Sequence, residues 1–317
     1  MTANSVAFEP DSSGKSLWNI DGIVAELREL RNRSLTARHR TGRPAKLPSR
    51  KSLGTIIENL STALFPNRLG SRELAPESVD YFVGHTLDMT LGALAEEVLR
   101  ELHYVASPDA VIEEQQQQSV QIVRDFASRL PLIRALLESD IQAAFEGDPA
   151  ARNADEVLAC YPGITAVMHH RLAHPLYLLG APLVARIIAE IAHSTTGIDI
   201  HPGAQIQESF FIDHGTGVVI GETAIIGQRV RLYQAVTLGA KRFPVDENGA
   251  LIKGNARHPI VEDDVVIYAG ATILGRVTIG KGSVIGGNVW ITRNVAPGSN
   301  ITQAKSRNDD HDGGSGI

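Results

Sequence analysis

The chain reads IHPGAQIQESFFIDHGTGVVIGETAII from residue 200 to residue 226, and VEDDVVIYAGATILGRVTIGKGSVIGGNVWI from residue 261 to residue 291. An aliphatic residue heads each hexad, and a small or β-branched residue usually follows four places later. A period of six suits neither a helix face nor a plain alternating strand. It is typical of a triangular parallel β-helix, in which three hexads make one coil and every head points inward. The heads are Ile200, Ile206, Ile212, Ile220, Ile226, Leu232, Leu238, Val261, Ile267, Ile273, Ile279, Ile285 and Ile291.

Two interruptions break this repeat. The first is a two-residue slip at residues 213–217, and the second is a loop at residues 239–259 that protrudes before the hexads resume. The repeat by itself says little about activity, because unrelated functions share the same fold. We therefore expect the chemistry at the interruptions, where loop residues stand on a rigid scaffold.

The residues before the repeat show a helical pattern. Apolar residues recur at helical spacing from residue 16 to residue 193, and Ser107 with Pro108 is a helix-start signal. Pro175 and Pro182 are expected to interrupt the last two helices. The predicted fold class is α+β multidomain. Its parts are a disordered segment 1–15, a helical domain 16–193 that serves oligomerisation, a β-helix 194–298 and a flexible tail 299–317.

Composition limits the class of protein. The chain has 317 residues, 43% of them hydrophobic, and a net charge of -6, which argues against a general nucleic-acid binder. A basic run between Arg31 and Lys51 contains no interleaved aromatics and is interpreted as a solvated linker. One cysteine allows no internal disulfide and fits a reducing cytosol. No signal peptide and no bilayer-length apolar run is evident, so we expect a cytoplasmic protein without membrane contacts.

A set of motifs accompanies the hexads. They are GIDIHP at 197–202, IDHGTGVVIGET at 212–223, QAVTLG at 234–239, RHP at 257–259, DPA at 148–150 and HRLAH at 170–174. In this combination the chain resembles the serine acetyltransferases. The resemblance implies a left-handed β-helix of hexapeptide repeats that transfers an acetyl group from acetyl-CoA to the hydroxyl of L-serine, the first step of cysteine biosynthesis from serine.

The resemblance assigns a catalytic dyad, with His214 as general base and Asp199 as the carboxylate that orients it. The chemistry agrees, because an alcohol needs a base near neutral pH and histidine, with an ordinary pKa of about 6.5, is suited to that task. The two residues are 15 positions apart, close to one coil of about 18. Each residue alone also fits an ordinary corner position, as a turn former or an exposed imidazole.

The resemblance places Asp148 and Asp213 beside the ammonium and hydroxyl of serine, and Arg257 and His258 beside its carboxylate. Opposite charges of this kind are what an amino acid requires for recognition. Without the resemblance, Asp148 also reads as a helix cap before a proline.

Acetyl-CoA is expected along the groove between β-helix faces, with no metal ion required. Gly239 and Ala240 would allow close backbone approach near the thioester. Lys241, Arg242 and Lys253 are candidates for its phosphates, with solvated loop charge as the alternative.

The resemblance also implies partners. It predicts a homotrimer or hexamer with active sites between neighbouring prisms, and L-cysteine as a feedback inhibitor that occupies the serine site. The acidic, glycine-containing tail ends in Ile317, which is expected to bind O-acetylserine sulfhydrylase through its free carboxylate and branched side chain.

Three other functions remain open from the residues alone. A β-helical metalloenzyme would require three converging histidines, for which His201, His214 and His258 are candidates. A sugar acetyltransferase would have no ammonium to pair with Asp148. A non-catalytic scaffold would have no need of the complete set of candidate site residues, which are Asp199, Asp213, His214, Arg257 and His258.

Overall fold

A computed structural model describes residues 18–37, 46–70, 75–106, 110–242, 246–247 and 249–303. The chain separates into two compact units, residues 1–46 and 47–317. The first unit contributes helix α1 (Ile20–Ala37), and all other described elements belong to the second. The predicted segment 1–15, the Ser107-Pro108 helix start and most of the tail, including Ile317, lie outside the described residues.

The second unit begins with helices, as predicted. These are α2 (Arg50–Leu64), α3 (Pro66–Leu69), α4 (Val79–Val105), α5 (Ile112–Ala127), α6 (Leu130–Gly147), α7 (Ala154–Cys160), α8 (Pro162–Leu178) and α9 (Pro182–Thr196), with a 3-10 turn at Pro76–Ser78. Helix α9 ends at Gly197, whose φ of 71° lies in the left-handed region that glycine favours. None of the described helices combines the length and apolar character that a bilayer crossing requires.

The predicted break at Pro175 is wrong, because α8 runs through it from Pro162 to Leu178. Proline lacks the N–H that would bond one turn back, so an interior proline normally ends a helix. Here Pro175 lies in the last turn, where few further backbone bonds depend on it. Its buried neighbours Leu172 and Leu176 hold the helix in the core. The break at Pro182 is confirmed, since α9 begins there.

Short parallel strands follow Gly197. They are β1 (Asp199–Ile200), β2 (Gln205–Ile206), β3 (Phe211–Ile212), β4 (Val219–Ile220), β5 (Ile225–Ile226), β6 (Arg231–Leu232), β7 (Thr237–Gly239), β8 (Ile260–Val261), β9 (Val266–Ile267), β10 (Thr272–Leu274), β11 (Thr278–Ile279), β12 (Val284–Ile285), β13 (Trp290–Ile291) and β14 (Asn300–Ile301). They form three sheets, ordered β1-β4-β7-β10-β13, β2-β5-β8-β11 and β3-β6-β9-β12-β14. Every predicted head is buried. The predicted parallel β-helix is therefore confirmed.

The slip changes which residue fills the core at one corner. The hexad pattern assigned the position four places after Ile212 to Thr216, but Thr216 is exposed and Val218 is buried instead. Gly215 has a φ of 90°, and a Cβ there would come within 2.4 Å of the Ile198 side chain. The two extra residues thus bulge outward at this corner while the core register continues in β4.

A buried ion pair joins the helices to the first coil. The guanidinium of Arg171 in α8 donates two hydrogen bonds of 3.0 Å to the carboxylate of Asp140 in α6. Arg171 also donates to the carbonyl oxygens of Ile206 and Gln207, and the Phe210 N–H donates to Asp140 at 2.8 Å. Because every charged atom here has partners, the pair fixes α6 and α8 against the β-helix.

Candidate active site

The corner between β3 and β4 carries the predicted base. His214 has a φ of 55°, in the left-handed region that histidine tolerates better than most residues. Its side chain is 71% exposed, whereas that of Asp213 is 15% exposed, and His214 Nδ1 lies 3.7 Å from Asp213 Oδ1. The slip therefore presents an imidazole to solvent beside a largely buried carboxylate.

Two glycines let the helical region reach this corner. A Cβ on Gly163, in the first turn of α8, would lie 2.1 Å from the carbonyl oxygen of Ile212. A Cβ on Gly147, at the end of α6, would lie 2.4 Å from the Arg231 guanidinium. At Gly163 the neighbour is backbone, so close packing there requires glycine, whereas at Gly147 it is the end of a flexible arginine side chain. The packing brings the loops after α6 and before α8 to Asp213.

Asp148 lies in the loop after α6, and Tyr161 lies directly before α8. The Tyr161 hydroxyl donates to Asp148 Oδ2 at 2.5 Å, and the Ala150 N–H donates to Asp148 Oδ1 at 2.8 Å. The Tyr161 hydrogen bond, followed by that of Ala150, lowers the pKa of Asp148, and the charge of His214 acts in the same direction. Asp148 is therefore an ionised carboxylate close to His214.

Among the described residues, neither Asp148 nor Asp213 has a lysine or arginine within 4.0 Å. Arg231 acts on Asp148 only at longer range, and its guanidinium lies over the Phe211 ring, 5.4 Å from the centroid. Two carboxylates without a close protein cation make this corner suited to a ligand cation.

Asp199 lies on the side of the prism that begins at the corner carrying His214. It lies in β1 opposite Val219 of β4, and the Gly217 N–H donates to the Gly197 carbonyl at 2.8 Å. A carboxylate oxygen of Asp199 lies within 4.8 Å of a carboxylate oxygen of Glu190 and of a ring nitrogen of His193, both in α9. In the described part of the chain, no hydrogen bond or ion pair within 4.0 Å joins it to His214, and the dyad stays a prediction.

A second polar cluster lies at the next corner, between β4 and β5. Arg257 donates to Glu222 Oε2 at 2.6 Å, and the Tyr177 hydroxyl donates to Glu222 Oε1 at 2.9 Å. Burial alone would raise the pKa of Glu222, but these two hydrogen bonds and the Arg257 charge hold it below its ordinary value. Glu222 thus holds the Arg257 guanidinium in one position.

His258 is buried beside Arg257. Its Nδ1 accepts from the Thr223 N–H at 3.0 Å, which assigns the ring proton to Nε2. Burial, followed by the Arg257 charge, lowers the pKa of His258 to about 4. The side chain is therefore neutral near pH 7 and offers an Nε2–H donor next to a guanidinium.

The two clusters occupy different corners of one chain. The slip precedes β4 and the residue pair Glu222-Thr223 follows it, so one side of the prism separates His214 from Arg257. His201 shares the corner of His258 and packs edge-on against Tyr177. Within one chain, the three histidines considered for a metal therefore do not converge. Among the described residues, one group has ligand atoms close enough together to hold a metal ion, namely Glu190, His193 and Asp199.

The candidate acetyl-CoA residues border the second corner. Gly239 ends β7, and its carbonyl accepts from the Gly275 N–H at 3.0 Å. Ala240 follows at the base of the loop. The cationic candidates Lys241, Arg242 and Lys253 are exposed, and no carboxylate of the described residues pairs with them. Their assignment stays a prediction.

Sequence reasoning did not single out Tyr161, Tyr177, Glu222 or Thr223 as site residues. Glu222 and Thr223 lie inside a quoted motif, so that motif contained the signal. Tyr161 precedes the Pro162-Gly163 pair that opens α8, which marked it as a helix boundary but not as a partner of Asp148.

Several known proteins that are similar to this chain are serine acetyltransferases. The family described as bacterial transferase hexapeptide (six repeats) matches residues 258–293. A plasmid serine acetyltransferase of Synechococcus elongatus is 57% identical over 304 residues, 95% of each chain. Serine acetyltransferase 1 of Entamoeba histolytica, solved with L-cysteine, superposes with a TM-score of 0.69 at 37% identity, covering 83% of this chain and 89% of that one. The Neisseria gonorrhoeae serine acetyltransferase, solved with serine, gives a TM-score of 0.50 at 28% identity, covering 79% and 94%.

Proposed function

This chain belongs to the serine acetyltransferase family, and from that membership we propose how its own residues perform the reaction. The reaction transfers the acetyl group of acetyl-CoA to the hydroxyl of L-serine and yields O-acetyl-L-serine and CoA. The similarity to serine acetyltransferases identifies serine, and not a sugar, as the acceptor. The family match also identifies the fold as a left-handed β-helix. Acetyl-CoA is the co-substrate.

One observation carries the assignment of the acceptor site: Asp148 and Asp213 meet His214 at a corner where neither carboxylate has a close protein cation. The serine ammonium supplies the missing charge and pairs with Asp148. This places the serine hydroxyl near Asp213 and the exposed imidazole. A neutral sugar offers no positive charge to pair with Asp148.

His214 acts as the general base. Its imidazole takes the hydroxyl proton as the serine oxygen attacks the carbonyl carbon of the thioester. The resulting tetrahedral intermediate collapses, the carbon–sulfur bond breaks, and the imidazolium returns its proton to the departing CoA sulfur. Asp199 orients the imidazole and stabilises its charged form, as expected from its place on the same side of the first coil.

Arg257 and His258 bind the serine carboxylate. The guanidinium held by Glu222 and the neutral Nε2–H of His258 offer adjacent donors. Because these donors lie one corner away from His214, we propose that they act on a serine bound at the corner of a neighbouring copy. A closed trimer with sites between its prisms meets this requirement, and a hexamer formed through helical domains is compatible with it.

The remaining assignments are proposals that are compatible with family membership. Gly239, Ala240, Lys241, Arg242 and Lys253 contact acetyl-CoA, and L-cysteine competes with serine because it shares the ammonium and carboxylate. The location is cytoplasmic. The docking of Ile317 on O-acetylserine sulfhydrylase concerns residues outside the described part and stays a prediction.

The decisive experiment measures CoA release from acetyl-CoA with L-serine and with 3-hydroxypropionate, which keeps the hydroxyl and carboxylate but lacks the ammonium. We expect L-serine to be preferred by at least about a hundredfold in kcat/KM. Asp148→Ala should remove most of this preference by raising the KM for L-serine. Equal use of both acceptors by the wild-type protein would contradict the proposed ammonium site.

A further inference from the structure

Tyr161 links two helices at the edge of the acceptor corner. It ends α7 and caps the N-terminus of α8, and its half-buried ring packs against the hydrophobic core. Gly163, two residues later, contacts the backbone of β3. The ring is therefore fixed on both sides, and its hydroxyl occupies a defined position.

That hydroxyl completes the environment of one carboxylate. Asp148 Oδ2 accepts from Tyr161 at 2.5 Å, while Oδ1 accepts from the Ala150 N–H at 2.8 Å. Two donors on two different oxygens prevent rotation of the carboxylate plane. Each oxygen retains a free lone pair for a further donor, which a substrate ammonium supplies.

We propose that Tyr161 is a positioning residue for the acceptor, whose hydroxyl holds the Asp148 carboxylate in the orientation that receives the ammonium of serine. This inference rests on the proposed role of Asp148. Tyr161 is then the second residue of the helical region, after Asp148, that takes part in substrate recognition. It acts through the Asp148 side chain.

The charges around the pair favour this arrangement. Asp148 faces His214 and Arg231, which both favour its ionised form, and Tyr161 faces Asp148, Glu156 and Asp213. The hydrogen bond to Asp148, with burial next, raises the pKa of Tyr161 to about 12. The phenol therefore keeps its proton and remains a donor throughout the pH range in which the enzyme works.

Tyr161→Phe removes the donor and keeps the ring that packs in the core. Because a hydrogen bond to a charged group is at stake, we expect the KM for L-serine to rise about tenfold. We expect kcat and the KM for acetyl-CoA to change by less than about twofold, since the ionised carboxylate still binds and His214 is untouched. Tyr81→Phe, at a tyrosine that is 84% exposed on α4, is the matched control and should behave as wild type.

A double-mutant cycle with Asp148→Ala separates this inference from the proposed function. If Asp148→Ala leaves the KM for L-serine unchanged, the ammonium site itself is wrong. If Asp148→Ala raises that KM and Tyr161→Phe does not, only the role of Tyr161 is overturned. Tyr161→Phe should add nothing in the Asp148→Ala background, because its effect passes through the carboxylate. A further rise in the KM for L-serine when Tyr161→Phe is added to Asp148→Ala would indicate a general structural role of Tyr161 and would also overturn the inference.

3-Hydroxypropionate, which lacks the ammonium, provides a second measurement on Tyr161→Phe. We expect the KM for L-serine to rise about tenfold and the KM for 3-hydroxypropionate to change by less than about twofold, because only the ammonium contacts the oriented Asp148 carboxylate. An equal rise in both KM values would indicate a general structural role of Tyr161 and would overturn the inference.

Discussion

The Nδ1 atom of His214 lies 3.7 Å from the Oδ1 atom of Asp213, longer than a hydrogen bond, and the imidazole is 71% exposed. The two residues are adjacent in the chain, and the backbone at His214 is left-handed. The imidazole therefore has a carboxylate nearby without being locked to it. An exposed base with this freedom is accessible to an acceptor hydroxyl that binds at the same corner.

Replacement of His214 tests the base directly. His214→Ala is expected to lower kcat by about a hundredfold or more, because no other group of the corner takes the hydroxyl proton at neutral pH. The side chain is largely exposed, so its removal leaves no cavity, and the thermal midpoint should fall only by the small cost of placing alanine in the left-handed region. CoA release and thermal unfolding measure the two effects. Retention of more than about a tenth of wild-type turnover would refute the assignment.

Asp199 and Asp213 are distinguished by the kinetic constant that each affects. Asp199→Asn is expected to lower kcat by about a hundredfold with little change in the KM for L-serine, because an amide misorients the imidazole. Asp213→Asn is expected to raise the KM for L-serine, because it removes charge from the acceptor side. The opposite pattern, with kcat lost in Asp213→Asn and wild-type kinetics in Asp199→Asn, would transfer the orienting role to Asp213.

The coils were predictable because their period is set by local geometry. Each head must point inward for three short strands to close, so the sequence identifies heads such as Ile220 and Leu238 without knowledge of distant contacts. The continuity of α8 through Pro175 was not predictable in this way. It depends on burial by neighbouring helices, which outweighs the local cost of proline.

The site was predictable only in part. The slip indicated that Asp213 and His214 leave the regular repeat, and this holds in the structure. The bond between Tyr161 and Asp148 joins residues 13 apart through the path of α7, which no short pattern encodes. The pair of Glu222 and Arg257 spans the long loop. Such contacts follow from the tertiary arrangement and not from spacing.

Mixing of two inactive variants tests whether the site is shared between copies. His214→Ala lacks the base at one corner, and Arg257→Ala lacks the carboxylate donor at the next. In randomly mixed trimers about one quarter of the sites should combine both intact residues, so about a quarter of wild-type activity should return. As a control, His214→Ala mixed with the double variant His214→Ala/Arg257→Ala has no intact base and should stay inactive. Absence of recovery in the first mixture, with mixed oligomers demonstrated, would place the site within one chain.

The buried imidazole of His258 makes stability depend on pH. Its pKa is lowered to about 4 in the folded protein by burial and then by Arg257, against about 6.5 in an unfolded chain. Between these values the unfolded chain binds a proton that the folded protein does not, so stability falls as the pH drops from 6.5 towards 4. Lowering the pH from 7.5 to 5.0 should cost about 2 kcal/mol through this residue.

His258→Asn should flatten that slope, because the amide oxygen can accept the Thr223 N–H without taking up a proton. The free energy of unfolding in urea is measured at pH 7.5 and 5.0, at one protein concentration, for wild type and variant. The variant is expected to lose about 2 kcal/mol less than wild type over this interval. His85→Asn, at an exposed position on α4, is the control and should keep the wild-type slope. Equal slopes for His258→Asn and wild type would mean that His258 takes up its proton equally in both states, and its neutral Nε2–H could then not be assigned as the carboxylate donor.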